Sequence, residues 1–163
     1  MLPLDPPLTP AAARNERHPL RQISEHDRRA IAASRQDPDA RARFGSQLLT
    51  SNPDSILGRL LVAEAAPTNA ETEALLRDAV RIGLKLWGPE LNGRESINWF
   101  DDPDTRIFMA AVSAYGRTLH RRGLEREARD CADFLLGLDP SNRLDVEQEI
   151  MGTPPGGSQR PSR

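Results

Sequence analysis

The sequence predicts an all-α protein made of consecutive antiparallel helices. Apolar residues recur at spacings of three and four through most of the chain between its two ends, which is the period of a helix with one buried face. Asp-Pro pairs precede two of these segments, and such pairs are typical of helix starts. No run alternates between apolar and polar residues or is rich in Val, Ile and Thr, so no strand is expected.

The first half of the chain contains three predicted helices, over 24–35, 37–52 and 54–66. Ser24 and Asp27 have the spacing of a capping box in which Asp stands for the usual Glu. Asp37 is expected to cap the second helix, with Pro38 at the first helical position, where its missing N–H has no cost.

The second half contains four more predicted helices, over 70–87, 102–122, 124–138 and 143–151. Gly88 and Pro89 are expected to end the fourth helix, with glycine directly after it and proline beyond. The connector over 90–101 has no strong periodicity, but its Trp99 and Phe100 are expected to pack.

The two ends have the composition of disordered segments. Residues 1–19 are rich in proline, and 152–163 consist almost entirely of Gly, Pro, Ser, Thr and Arg. Such segments bury too little apolar surface to offset the entropy lost on ordering. We therefore expect one helical domain over 20–151 between disordered ends.

Charge and composition exclude several classes of function. The 22 Lys and Arg residues nearly balance the 24 Asp and Glu residues, and aromatic residues are only 4%. A chain without a basic excess or stacking residues is not expected to bind nucleic acid or a membrane surface. No 18-residue apolar run and no secretory signal occurs in the sequence, so we expect a cytoplasmic protein.

No group of residues has the pattern of a catalytic, cofactor or metal site. The three histidines are not at metal-ligand spacing, and Cys131 lies on an apolar helical stripe, where it would act as a small hydrophobic residue. Asp101, Asp102 and Asp104 could hold a divalent cation, but acidic residues before a helix usually cap it, and that interpretation is favoured. We expect a non-enzymatic protein without cofactor or metal.

One part of the chain, 109–142, resembles a tetratricopeptide repeat. The family pattern is W-x2-L-G-x2-Y…A-x3-F…P within about 34 residues. The matching positions hold Val112, Tyr115, Gly116, Leu119, Ala128, Ala132 and Pro140, without a gap. Gly116, Ala128 and Pro140 agree in identity, and the two small residues would permit close approach of the paired helices. A generic antiparallel hairpin is the alternative interpretation.

The resemblance implies a short tetratricopeptide-like solenoid of stacked helical hairpins. A weaker likeness extends upstream to about Ser24, although the connector over 90–101 departs from tandem spacing. Proteins of this family bind another protein or peptide in a concave groove lined by the first helix of each repeat. The implied function is therefore an adaptor or scaffold; the alternative is a structural or accessory subunit of a larger enzyme assembly, with no catalytic site of its own.

Carrying the groove positions of the family over to this sequence gives five candidate protein-binding residues. They are Ala110, Ser113, Arg117, His120 and Arg121. Arg117 and Arg121 lie one helical turn apart and could bind an acidic peptide through their guanidinium groups. The alternative is that these arginines only solvate an exposed helix face.

Overall fold

The computed structural model describes residues 21–92 and 97–152, and no strand occurs in these two ranges. The all-α prediction is therefore confirmed. The helices in these ranges are α1 (Glu25–Ala33), α2 (Pro38–Ser51), α3 (Ile56–Glu64), α4 (Asn69–Leu86), α5 (Gly88–Leu91), α6 (Pro103–Arg121), α7 (Glu125–Leu138) and α8 (Val146–Met151). The segments expected to be disordered, 1–19 and 152–163, lie outside the described residues apart from Gly152, which follows α8.

The predicted helix starts are confirmed by their capping hydrogen bonds. Ser24 Oγ accepts a hydrogen bond from Asp27 N, and the Asp27 carboxylate accepts one from Ser24 N, which completes the capping box. Asp37 caps α2 by accepting from Ala40 N at 2.9 Å. Asp102 caps α6 in a similar way. These side chains satisfy amides that no helical carbonyl can reach.

The end of α4 differs from the prediction. Gly88 was expected to end this helix, but α4 ends one residue earlier than Trp87, and Gly88 does not adopt a positive φ. Instead, Gly88 and Pro89 begin the short helix α5. Proline is tolerated in the first turn of a helix because its missing N–H needs no partner there. The Gly-Pro pair therefore starts a helix here.

Helices that are neighbours in the chain pack against each other. Helix α2 packs on α3, α3 on α4, α4 on α6 and α6 on α7, while α8 packs on both α6 and α7. Helix α3 also contacts α6, whereas α1 makes no comparably extended contact with any other described helix. The core therefore runs along the chain order and leaves α1 at its edge.

Phe108 of α6 is the centre of the main core and is fully buried. Its ring stacks on Trp87 with 5.5 Å between ring centroids, and its centroid lies 6.4 Å from that of Trp99 and 6.1 Å from that of Phe134. Gly83 of α4 permits this arrangement, because the Phe108 ring occupies the space that a Cβ of residue 83 would need. One side chain thus joins α4, α6, α7 and the connector, and the predicted packing of Trp99 is confirmed.

Phe100 fixes the connector to the last part of the chain. Its ring lies between two guanidinium groups, those of Arg106 at 4.2 Å and Arg143 at 4.3 Å from the ring centroid. Arg143 also donates hydrogen bonds to Asp101 at 3.0 Å and to Asp139 at 3.1 Å. Cation–π contacts and charged hydrogen bonds therefore hold the segment before α8 against the segment before α6.

Helices α6 and α7 come close together at Gly116. A Cβ on this residue would lie 2.9 Å from Cys131 Cβ and 2.9 Å from Ile150 Cδ1, which is closer than normal carbon contacts. The sequence comparison placed Ala128 at this close approach. Ala128 is fully buried, but the α7 side chain nearest to Gly116 is Cys131, one helical turn later.

Residues 21–23 form a strap that crosses the starts of α3 and α6. Asp104 of α6 is 1% exposed, and its Oδ1 accepts hydrogen bonds from Gln22 N at 2.8 Å and Ile23 N at 3.1 Å. The Gln22 side chain in turn accepts from Ile56 N, the first amide of α3, at 2.8 Å. The two helices therefore begin side by side.

Candidate functional site

A cleft of about 670 Å³ opens between α3, α4 and α6. Side chains of the strap, α1 and α2 complete its walls. Since α3 and α6 begin side by side at the strap and both line the cleft over most of their length, they run in the same direction along it. The two ends of the cleft differ in chemistry.

The apolar end of the cleft lies at the starts of α3 and α6. It is lined by five aliphatic side chains that pack together, namely Ile23, Ile31, Leu57, Leu61 and Ile107. Leu60 continues this surface along α3. A partner that covers such a surface gains about 25 cal/mol for each Å² of apolar area removed from water.

The arginine end of the cleft lies where α6 ends, and Arg117, Arg121 and Arg122 line it. Arg117 has a loose ion pair with Glu149 of α8, with 3.6 Å between Nη1 and Oε2. Arg122 donates a hydrogen bond to Glu73 of α4. Arg121 is exposed, and no carboxylate of the described residues lies within ion-pair distance of it. Arg121 is therefore the guanidinium with charge left to offer a ligand.

Glu73 compensates the charge of Arg122 at this end. Its side chain is only 10% exposed, and it accepts hydrogen bonds from Arg122 and, at 3.0 Å, from Arg77. Hydrogen bonding to Arg122, with a smaller contribution from Arg77, lowers the pKa of Glu73 below its usual range, although burial opposes this shift. The carboxylate therefore stays ionised and holds Arg122 in place.

Arg41 and Glu64 form a second compensated pair at the edge of the cleft. Arg41 Nε and Nη2 donate to the two carboxylate oxygens of Glu64, both at 2.9 Å. This bidentate hydrogen bonding raises the pKa of Arg41. The pair joins α2 to α3, so the Arg41 charge serves packing and is not free for a ligand.

The structure separates the five residues that the sequence proposed for the groove. Ala110, Arg117 and Arg121 line the cleft. Ser113 is 5% exposed and does not line it. His120 faces a smaller depression of about 230 Å³ beside α8, which Arg117 and Arg121 also border, and its Nδ1 lies 2.9 Å from Glu125 Oε1.

Sequence reasoning missed the walls that α3 and α4 contribute. Leu57, Leu60 and Leu61 were recognised as one apolar face, but they were assigned to the core alone. The same face both covers the core and borders the cleft, because α1 covers it only in part. The available signal was a stripe on α3 broader than one packed neighbour requires.

The other candidate residues have structural partners. Asp102 accepts a hydrogen bond from Asp104 N, Asp104 binds the strap, and Asp101 pairs with Arg143, so the capping interpretation of the acidic cluster is confirmed. Within 21–92 and 97–152, no three potential metal ligands are grouped as an ion would require. Cys131 is half-buried, and burial raises the pKa of its thiol, which favours the unreactive protonated form.

Comparisons with family models, curated proteins and solved structures gave no match to this chain. Across the helices that the structure describes, none combines the length and apolar character needed to cross a membrane.

Proposed function

We propose that this chain is a non-enzymatic protein-interaction module that binds a segment of another protein in the cleft. The observation that carries the proposal is the cleft itself, which has an aliphatic surface at one end and an uncompensated guanidinium, that of Arg121, at the other. Apolar area supplies affinity, and a charged group at the rim supplies orientation and specificity.

The helix arrangement supports a tetratricopeptide-like solenoid as the scaffold of this module. Each helix from α2 onward packs on its chain neighbours, as expected where every repeat contacts only the adjacent ones. In addition, α3 and α6, which would be the first helices of successive hairpins, run in the same direction and contact each other. Their shared face lines the cleft, as first helices do in that family.

The test compares two double substitutions with equal change of charge. In Arg117→Ala with Arg121→Ala, the arginine end of the cleft loses two guanidiniums; in Arg126→Ala with Arg129→Ala, the exposed face of α7 loses two. Proteins captured from a source lysate by the wild-type chain and both variants are quantified by mass spectrometry. We expect a partner that the wild type and the α7 variant retain and the cleft variant loses at least about tenfold.

The expected loss must be confirmed with the purified partner at low salt, where surface charges act most strongly. The cleft variant should keep the wild-type helicity and melting temperature. Equal capture by all three proteins would show that the arginine end of the cleft has no role in binding.

A further inference from the structure

We infer that the partner segment is an amphipathic helix that lies antiparallel to α6, with acidic residues in its first turn against Arg121 and an apolar face on the apolar end of the cleft. This inference rests on the proposed function and adds the chemistry and the direction of the bound segment.

The length of the cleft sets the length of the helix. Ile107 lines the apolar end and Arg121 the arginine end, so the cleft follows about 14 residues of α6, or roughly 21 Å. A partner helix of about the same length would reach both ends. The aliphatic surface over Leu57, Leu60 and Leu61 requires apolar residues at helical spacing on the facing side of that partner.

The pairing of charges puts the acidic residues at one end. Arg41 and Arg122 already have buried or bidentate carboxylate partners, so they add little attraction for a ligand. Arg121 has no such partner among the described residues, and Arg117 has only its loose pair with Glu149. A negative charge on the ligand is therefore favoured beside α6 residues 117–121 and gains nothing at the aliphatic end.

The helix dipoles fix the direction. Because α3 and α6 run in the same direction, both present their C-terminal, partially negative ends at the arginine end of the cleft. A helix that enters with its own N-terminus there places a partially positive end against them. Acidic residues are also most favourable in the first turn of a helix. Both effects select an antiparallel helix with an acidic start.

The experiment uses two synthetic peptides of about 15 residues, with blocked ends and the same composition. The first has glutamates in its first turn and leucines at spacings of three and four after it; the second has the glutamates in its last turn. Binding of each labelled peptide to the full chain is measured by fluorescence anisotropy at low salt. We expect the first peptide to bind about tenfold more tightly.

Arg121→Ala separates the effect of the cleft from that of the peptide, because glutamates in the first turn also raise the helicity of the free peptide. In Arg121→Ala the preference should fall to within about twofold, whereas Arg126→Ala, on α7, should keep it. Equal affinity for both peptides, or a preference that survives Arg121→Ala, would overturn the inferred direction and leave the proposed function standing. Failure of the wild-type chain to bind either peptide would count against both.

Discussion

Glu73 is the residue at which protonation couples most directly to folding. Its carboxylate accepts hydrogen bonds from Arg122 and Arg77, and these lower its pKa from the ordinary value of 4.5. A pKa lowered in the folded state contributes stability that is present above the unfolded pKa and is lost as the pH falls through the folded pKa. The contribution of Glu73 is therefore present at neutral pH and disappears at acidic pH, below about 4.5.

Glu73→Gln should lower the free energy of unfolding at neutral pH and make it fall less steeply below pH 4.5. Urea unfolding of the wild type and the variant, repeated between neutral and acidic pH, measures this difference. Glu127→Gln, which changes an exposed carboxylate at the start of α7, is the control and should follow the wild-type curve. Parallel curves for Glu73→Gln and the wild type would contradict the coupling.

Among the helices longer than one turn, α1 is the least well supported by packing. It has nine residues, none of them buried, and only Ile31 packs on the small cluster of Ile23, Leu57 and Leu61. Helices this short are marginal in water without tertiary contacts. Its own stabilising features are the capping box at Ser24 and the attachment of the strap before it.

We therefore expect the amides of α1 to exchange with solvent at least about tenfold faster than those of α2, which packs along α3. Hydrogen exchange of the full chain, followed residue by residue, measures the difference. Ile31→Ala should increase the exchange of α1 further and leave α6 unchanged. Protection of α1 equal to that of α6 would mean that α1 belongs to the main cooperative unit.

The starts of the helices could be predicted from sequence because they depend on local chemistry. Ser24, Asp37 and Asp102 each satisfy amides within three residues, so a short window contains the whole interaction. Gly88 was misjudged because a Gly-Pro pair suits both the end of one helix and the start of the next, and packing of the neighbouring Trp87 selects between them.

The cleft could be predicted only in part. Arg117 and Arg121 were found because their spacing places them on one face of α6. Ser113 was assigned to the same groove but is buried, since the exact rotation of α6 depends on its neighbours. The aliphatic wall on α3 could not be assigned, because an apolar stripe does not show how much of it another helix will cover.

At the scale of the whole molecule, one aromatic side chain connects most of the core. Phe108 contacts Trp87, Trp99, Phe134 and the surface of α4 at Gly83. Loss of its ring leaves a cavity shared by several elements, and these cannot all move inward together. The cost should therefore affect the stability of the entire helical array.

Phe108→Ala should lower the free energy of unfolding by about 3–5 kcal/mol. Urea unfolding followed by circular dichroism and by the fluorescence of Trp87 and Trp99, the two tryptophans of the chain, measures it. Leu84→Ala is the matched control, since Leu84 is 44% exposed, and it should change stability by no more than about 0.5 kcal/mol. A loss below about 1 kcal/mol for Phe108→Ala would show that the core closes around the gap.

The strap also has a consequence for synthesis of the chain. The hydrogen bond from Gln22 N to Asp104 joins residues 82 positions apart, whereas the other helices mainly contact their neighbours in sequence. At about 5–20 residues added per second, a ribosome needs roughly 4–16 s to extend the chain from Gln22 to Asp104. Throughout that interval the strap has no buried partner, and it is open to chaperones and proteases while α2, α3 and α4 can already pair.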